Sequence, residues 1–253
     1  MIEFLLDNKF IVPFFSTVGA SLTIIILQSI HNFDKERKKK LYTVAYMAAV
    51  AQRLLHSSLV IKQNTIIPHI EAAKQIISGN QDLLNKTFLS DEFDILNEGM
   101  PEFNSLPEDY KVLLGYDDID LLHAFETIIY MNKNDITRNN LNSFVKLNLK
   151  SKLAFENRSP EEQIDTLGIY WDYLDKLQHE EDRLIAFIVH IFFPKVLIYI
   201  NRIEFRIYSK KNITNSINRA NTIRGQFKSI IPDFSFFEQS VSGGIQRIIK
   251  RKK

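Results

Sequence analysis

The sequence predicts an all-α protein in which one N-terminal transmembrane helix precedes a cytoplasmic helical bundle. Three observations predict this fold. The 253 residues include only 8 Gly and 7 Pro, about half the usual share, which disfavours folds rich in hairpins or phosphate-binding loops. An apolar stretch near the N-terminus is long enough to cross a bilayer. Apolar residues recur at helical spacing over most of the remaining chain.

The apolar stretch, residues 10–30 (FIVPFFSTVGASLTIIILQSI), contains no ionisable side chain. Its length of about 20 residues is what a helix needs to cross a hydrocarbon core of about 30 Å. The leader carries Glu3, Asp7 and Lys9 rather than a basic region, and no A-x-A cleavage pattern follows the stretch. We therefore expect an uncleaved anchor, with a buried helix of a soluble protein as the alternative.

A basic cluster follows the span directly, and its members are Lys35, Arg37, Lys38, Lys39 and Lys40. An excess of Lys and Arg marks the cytoplasmic flank of a transmembrane helix. We therefore expect the N-terminus outside and the bulk of the chain in the cytosol, with the span in a bacterial inner membrane. The predicted organisation is a tail and anchor over residues 1–34, a cytoplasmic helical domain over residues 35–233, and a flexible basic amphipathic tail over residues 234–253.

Helix-end signals divide the first part of the domain. Residues 38–63 contain no Gly or Pro and predict a helix that Pro68 ends, followed by a short helix that Gly79 closes. Residues 80–118 contain two Gly and two Pro and predict a loop-rich segment. Residues 79–126 hold twelve Asp or Glu and two Lys, a net charge of −10. This acidic segment is interpreted as a solvated surface or as a docking surface for a basic partner.

Two further helices are predicted from Asp118 to residue 131 and over residues 141–155. The clearest helix start follows at Ser159-Pro160-Glu161-Glu162. It places Ser at the N-cap, Pro at the first helical position, and acids at the positive end of the helix dipole.

The helix that Ser159 opens runs into a second apolar stretch, residues 184–200 (LIAFIVHIFFPKVLIYI). As a membrane span it would hold His190, Pro194 and Lys195 near its centre, and a central Lys costs about 2.5–3.5 kcal/mol. We therefore expect the central core helix of the bundle here. A second membrane span, forming a hairpin with the first, is the alternative.

The C-terminal part of the chain is basic, because residues 195–253 hold thirteen Lys or Arg against three acids. Arg202, Arg206 and Lys210 follow at intervals of four residues, which predicts one basic helical face. On a membrane-tethered protein, a basic amphipathic tail is suited to bind anionic lipid headgroups. A solvated terminus and a nucleic-acid contact are the alternatives. The basic residues at the end of the tail are Arg247, Lys250, Arg251, Lys252 and Lys253.

Catalytic signals are few. No P-loop, dinucleotide-binding, nucleophile-elbow or zinc-protease motif occurs, and we expect no cofactor and no metal. Asp172, Asp175, His179 and Asp182 share one helix face, which suits either a metal or solvent. Because the apolar side of the helix lies opposite, the solvent-exposed interpretation is favoured.

Arg183 and His190 are separated by six residues, a pattern that resembles the R-x(4–6)-H motif of HEPN-type helical ribonucleases. The resemblance covers these two residues alone and departs from the family because residues 184–189 are wholly apolar. It implies an arginine that binds phosphate and a histidine that takes part in proton transfer. The competing interpretation is a histidine held at the core rim by a neighbouring group.

Taken together, the sequence predicts a non-catalytic scaffold, sensor or interaction protein at the cytoplasmic face of the membrane. Its expected partners are the lipid bilayer, anionic headgroups, and either a protein partner or another copy of the chain. Two alternatives remain open. One is an oligomeric membrane-damaging effector of a toxin or antiviral type, which would use the span and residues 184–200, and the other is an anchored HEPN-like ribonuclease.

Overall fold

The computed structural model describes residues 8–79, 108–114, 118–132, 136–149, 155 and 157–233. Nearly all of these residues are helical and none of them forms a β-strand, so the predicted all-α class is confirmed. In chain order the helices are α1 (Asn8–Ile61), α2 (Ile67–Ile77), α3 (Glu108–Leu114), α4 (Ile119–Asn132), α5 (Ile136–Asn148), α6 (Pro160–Phe187), α7 (Phe193–Ile200) and α8 (Lys211–Gln226).

Two continuous helical rods form the framework. The first runs from α1 through a π-helical turn, Lys62–Ile66, into α2. The second runs from α6 through a π-helical turn, Ile188–Phe192, into α7. In both rods the π-turn lies just before a proline, Pro68 or Pro194.

The prediction that Pro68 ends the first helix is therefore wrong. Proline lacks the N–H that would bond to the carbonyl four residues earlier, and its ring crowds the preceding turn. A π-turn is wider than an α-turn, so it accommodates the proline ring while the helical backbone continues. The rod ends where the sequence predicts, because Gly79 adopts a φ of 110°, which glycine reaches without steric cost.

The first of two hydrophobic cores packs the C-terminal half of α1 against α4, the end of α6, α7 and α8. Met47, Leu54, Phe125 and Phe192 are fully buried in it. Helix α8 lies along α1 and buries one apolar stripe, as its helical spacing predicts. The stripe consists of Ile213, Ile217, Ala220 and Ile223.

The second core packs α2, at the end of the first rod, against α5 and against the first half of α6, at the start of the second rod. Ile66, Leu141, Phe155 and Tyr170 are buried in it. The predicted start of α6 is confirmed: the Ser159 hydroxyl accepts a hydrogen bond from the Glu162 N–H at 3.3 Å, and the Glu162 carboxylate accepts one from the Ser159 N–H at 2.9 Å.

Two helical stretches of the described residues, Ser21–Ile77 and Pro160–Ile200, are long and apolar enough to cross a bilayer by length and composition. The most apolar window of each is 56% buried inside the protein, and a core helix of a soluble domain passes the same test. Most side chains of residues 184–200 are buried in the first core. Length and composition therefore do not distinguish a membrane span from a core helix. The exposure of the individual side chains is the remaining criterion.

Candidate functional site

Residues 21–33 of α1 form an exposed stretch of helix. The backbone of residues 8–20 is helical, and their side chains lie outside the described part of the chain. All side chains from residue 21 to residue 33 are exposed. The large apolar ones are each 54–62% exposed, and they are Leu22, Ile24, Ile25, Ile26, Leu27, Ile30 and Phe33.

The same helix changes character within a few turns. From Leu41 onward one face enters the first core, and Val44, Met47 and Ala51 are fully buried there. An unbroken helix of 54 residues thus carries the exposed apolar side chains between Leu22 and Phe33 and continues into a part that packs in the domain. Because one backbone connects the two parts, whatever binds the exposed part also fixes the position of the domain.

The basic cluster lies between these two parts of α1. Lys38 binds Asp34 at 2.7 Å, and Lys40 lies 3.9 Å from both Glu36 and Asp118. The pKa of the Asp34 carboxyl is lowered by its hydrogen bonds to Lys38 and Tyr208, and the pKa of Lys38 is raised by the same contact with Asp34. Tyr208 belongs to the segment after α7, so the structure joins that segment to α1.

Asp118 binds several groups from distant parts of the chain. Its carboxylate is almost fully buried and pairs with Arg202, while the Tyr199 hydroxyl donates a hydrogen bond to it at 3.2 Å. The Arg202 guanidinium also stacks on the Tyr199 ring, 4.7 Å from its centroid. Burial raises the pKa of Tyr199, and the neighbouring Asp118 charge adds to this effect. The sequence predicts Asp118 only as a helix cap.

The predicted basic face of Arg202, Arg206 and Lys210 is not helical. α7 ends at Ile200, Arg202 adopts an extended conformation, and a single 3-10 turn follows at Ile203–Phe205. Arg202 leaves the helix because it pairs with Asp118. The Arg202 side chain therefore takes part in an internal ion pair. Arg206 is exposed, and Lys210 is partly exposed.

Residues 201–210, which we name the α7–α8 loop, pack beside the basic cluster of α1. One cavity of about 260 Å³ is lined by residues of both, including Lys38, Tyr42, Tyr208 and Lys210. A second, of about 750 Å³, includes Arg37, Lys40, Arg202 and Glu204. The structure thus brings together two basic groups that are widely separated in the sequence.

The loop also presents apolar side chains to solvent. Ile203 is 78% exposed and Ile207 is 84% exposed, while Phe205 between them is fully buried in the first core. The Phe205 ring packs against the Tyr199 ring with centroids 5.1 Å apart. The loop is therefore anchored through its middle residue, and its two isoleucines point away from the core.

The two residues of the alternative catalytic pair lie at the junction of α6 and the π-turn that follows it. Arg183 is exposed on α6, whereas His190 lies in the π-turn and its Nε2 is 3.3 Å from the carbonyl oxygen of Pro232. The intervening residues 184–189 are buried. His190 thus contacts a backbone group of the C-terminal segment, as the structural interpretation of this residue predicts.

Two buried ion pairs that the sequence does not predict lie at the boundary between the two cores. Lys62 pairs with Asp182 and donates a hydrogen bond to the Ile230 carbonyl at 2.6 Å. Arg138 pairs with the adjacent Glu181. Burial raises the pKa of Asp182, and the Lys62 ammonium opposes this shift.

The predicted solvent-exposed face of α6 is therefore wrong at Asp182, which is buried. The sequence of α6 alone does not indicate that Lys62, in the π-turn after α1, lies next to Asp182 in the folded protein. His179 remains exposed, 3.7 Å from Asp175. Among the described residues no group of three His, Asp or Glu side chains is placed to hold a metal ion.

Some predicted residues lie outside the described part of the chain. They include most of the acidic segment, residues 80–107 and 115–117, and the basic tail residues Arg247, Lys250, Arg251, Lys252 and Lys253.

Comparisons with protein families, curated proteins and solved structures found no match for this chain.

Proposed function

We propose that this protein is a single-pass membrane protein whose helical domain is held at the cytoplasmic surface of a bacterial inner membrane. The domain binds or assembles with other proteins there and does not catalyse a reaction. The observation that carries this proposal is the contrast within α1, which exposes apolar side chains between Leu22 and Phe33 and buries them from Leu41 onward.

The energetics of this contrast favour a bilayer. A helix that is apolar all round belongs in a protein core or in a membrane. Removing one Leu or Ile side chain from water is worth about 1.5–3 kcal/mol. The seven exposed side chains from Leu22 to Phe33 therefore favour a hydrocarbon environment by on the order of 10 kcal/mol. Within the described residues the domain offers no surface that covers them.

The orientation follows from the charges on either side of the span. Lys35, Arg37, Lys38, Lys39 and Lys40 lie on the domain side, whereas Lys9 on the other side is balanced by Glu3 and Asp7. The excess of basic residues favours a cytoplasmic domain.

A binding role is supported by the positions of the catalytic candidates. His190 contacts the Pro232 carbonyl, and Arg183 is exposed two helical turns earlier on the same rod. General acid–base chemistry requires a histidine that can reach a substrate proton. This geometry favours a structural His190 over the HEPN-like alternative.

The membrane-damaging alternative requires residues 184–200 to enter a bilayer. Ile185, Ile188, Phe192 and Val196 are fully buried in the first core. Inserting them would expose the apolar residues of α1, α4 and α8 that pack against them. This cost favours a stable domain over a second span.

The anchor is tested by alkaline extraction of membranes from cells that express the full chain. The variant Leu22→Lys/Ile25→Lys places two lysines in the proposed span, and Leu147→Lys/Ile169→Lys is the matched control on exposed apolar residues of the domain. We expect the unchanged protein and the control to stay in the membrane pellet and the anchor variant to be released, since each Lys costs about 2.5–3.5 kcal/mol near the bilayer centre. Release of the unchanged protein would contradict the proposal.

The binding role is separated from the effector alternative by the protein-only mass of the full chain in detergent, measured by light scattering. A monomer or dimer supports a scaffold that recruits its partner. A large ring-sized oligomer, together with dye leakage from liposomes, would contradict it and favour the membrane-damaging effector.

A further inference from the structure

We propose that the α7–α8 loop docks onto the anionic bilayer surface beside the anchor. Ile207 enters the interfacial layer, and Arg206 and Lys210 contact lipid phosphates. This inference rests on the proposed function, because the loop reaches a bilayer only if the N-terminal half of α1 spans it.

The position of the loop along α1 sets its height above the membrane. With a rise of about 1.5 Å per residue, Asp34 lies about 6 Å and Lys40 about 15 Å beyond the end of the apolar stretch at Ile30. The headgroup layer extends about 5–8 Å beyond the hydrocarbon on each side. Tyr208 lies beside Asp34 and lines the same cavity as Lys38, so its side chain is close to headgroup height.

The path of the loop brings its middle closest to the lipid. It begins at Arg202, which pairs with Asp118 near Lys40, descends to Tyr208 at Asp34, and returns to Lys210 beside Lys38. Arg206 and Ile207 immediately precede Tyr208 and thus lie at the lowest part of this path.

The loop is held rigidly enough to present its side chains without a large ordering cost. Arg202 fixes its start through Asp118, Phe205 fixes its middle in the first core, and Tyr208 fixes its end against α1. Ile203 and Ile207, on either side of Phe205, are the two most exposed large apolar side chains of the described residues.

The charges of this surface match an anionic bilayer. Lys210 and Lys211 line one cavity with Lys38 of α1, and Arg202 lines the other with Arg37 and Lys40. Arg206 is exposed on the loop between these two groups. Glu204 is the acid of the loop, and it lies 4.0 Å from Arg202. Basic residues next to protruding apolar ones are the combination that binds headgroups and the outer acyl layer together.

The absence of cysteine from the chain allows a direct test on the full-length protein. Single spin labels are placed by Ile207→Cys in the loop, Ile26→Cys in the anchor, and Leu147→Cys as an equally exposed control on α5. Each variant is reconstituted in vesicles of phosphatidylcholine with phosphatidylglycerol. Collision with oxygen, which concentrates in lipid, and with a water-soluble nickel chelate reports the depth of each label. Ile203→Cys labels the part of the loop that lies at the height of Lys40, above the headgroup layer.

We expect the Ile26 label to be deep, the Leu147 label to be aqueous, and the Ile207 label to lie at interfacial depth. An Ile207 label as aqueous as that at Leu147, with the Ile26 label still deep, would overturn the inference and leave the anchor intact. A label at Ile26 that is open to the nickel chelate would instead refute the anchor. Low access of the Ile207 label to both reagents would mean that another protein surface covers the loop, which also overturns the inference.

The charge contribution is tested by Arg206→Glu/Lys210→Glu in the background of the Ile207 label. We expect the label to shift towards water, and to shift similarly when phosphatidylglycerol is omitted. The control Lys146→Glu/Lys176→Glu reverses two exposed lysines far from the loop and should leave the depth unchanged. Equal depth in both variants would overturn the assigned phosphate contacts.

Discussion

The carboxylate of Asp118 and the guanidinium of Arg202 form an ion pair that joins the start of α4 to the loop after α7, across 84 residues of the sequence. The two sides of this pair differ in exposure. The Asp118 side chain is 1% exposed, whereas that of Arg202 is 38% exposed. The carboxylate therefore depends on its partner for solvation, while the guanidinium still reaches water.

This difference predicts unequal effects of the two substitutions. Arg202→Met leaves a buried carboxylate with only Lys40 at 3.9 Å and the Tyr199 hydroxyl near it, and we expect a loss of about 3 kcal/mol in the free energy of unfolding. Asp118→Asn leaves a guanidinium that water can solvate, and we expect about 1–2 kcal/mol. Denaturant unfolding of the full chain in detergent, followed by circular dichroism, measures both.

The matched control for this comparison is Lys38→Met, which removes a partner from the exposed pair with Asp34. Exposed ion pairs contribute little to stability, so this variant should unfold like the unchanged protein. A loss at Asp118→Asn greater than that at Arg202→Met would contradict the assigned difference in burial.

The pair of Lys62 and Asp182 at the boundary of the two cores predicts a non-additive result. Lys62→Met and Asp182→Leu each leave one buried charge without its partner. We expect each substitution to lower the free energy of unfolding by about 3 kcal/mol. Lys62→Met/Asp182→Leu removes both charges and should recover about 2 kcal/mol of the summed loss. Fluorescence of the single tryptophan, Trp171, which packs on the second core, reports the unfolding. Strict additivity of the two losses would show that the pair is not coupled.

Burial of His69 predicts how stability changes with pH. Its Nδ1 lies 3.0 Å from the Tyr170 hydroxyl, and desolvation lowers its pKa from 6.5 to about 4 in the folded protein. The unfolded chain therefore binds a proton that the folded chain does not, so this contribution is fully present above pH 6.5 and is lost as the pH falls towards 4. The shift corresponds to at most about 3 kcal/mol, and partial solvent contact reduces it to about 1–2 kcal/mol.

The variant His69→Gln should remove this part of the pH dependence while keeping a hydrogen-bonding group near Tyr170. The comparison is between thermal unfolding midpoints of the two proteins across the acidic range. Substitution of the exposed His123 by Gln serves as the control and should not change the slope. Identical slopes in the unchanged protein and in His69→Gln would refute the role assigned to His69.

Local signals in the sequence predict much of the helical fold. Ser159 and Glu162 form the capping interactions of α6, and Ile213 to Ile223 form the buried stripe of α8. These features depend on residues within a few positions of one another, so the pattern contains them directly. Gly79 at the end of α2 belongs to the same class, because its positive φ is a local requirement.

Features that depend on distant contacts were not predictable. Pro68 is predicted to end a helix, yet a π-turn accommodates it, and a second π-turn accommodates Pro194 in the same way. Arg202 fits a helical spacing, but its pairing with Asp118 draws it out of a helix. The α7–α8 loop lies beside the basic cluster only because α8 folds back along α1, and no single segment of sequence encodes that juxtaposition.

The most direct test of the central claim, that α1 crosses the bilayer and leaves the domain in the cytosol, is labelling of single cysteines in intact cells by a membrane-impermeant maleimide. The variants are Asn8→Cys at the start of α1, Ile26→Cys in the span and Leu147→Cys in the domain. We predict that the cysteine at position 8 reacts from outside, that at position 147 reacts only after permeabilisation, and that at position 26 reacts in neither case. Reaction of the domain cysteine from outside, or of the span cysteine in intact membranes, would contradict the account.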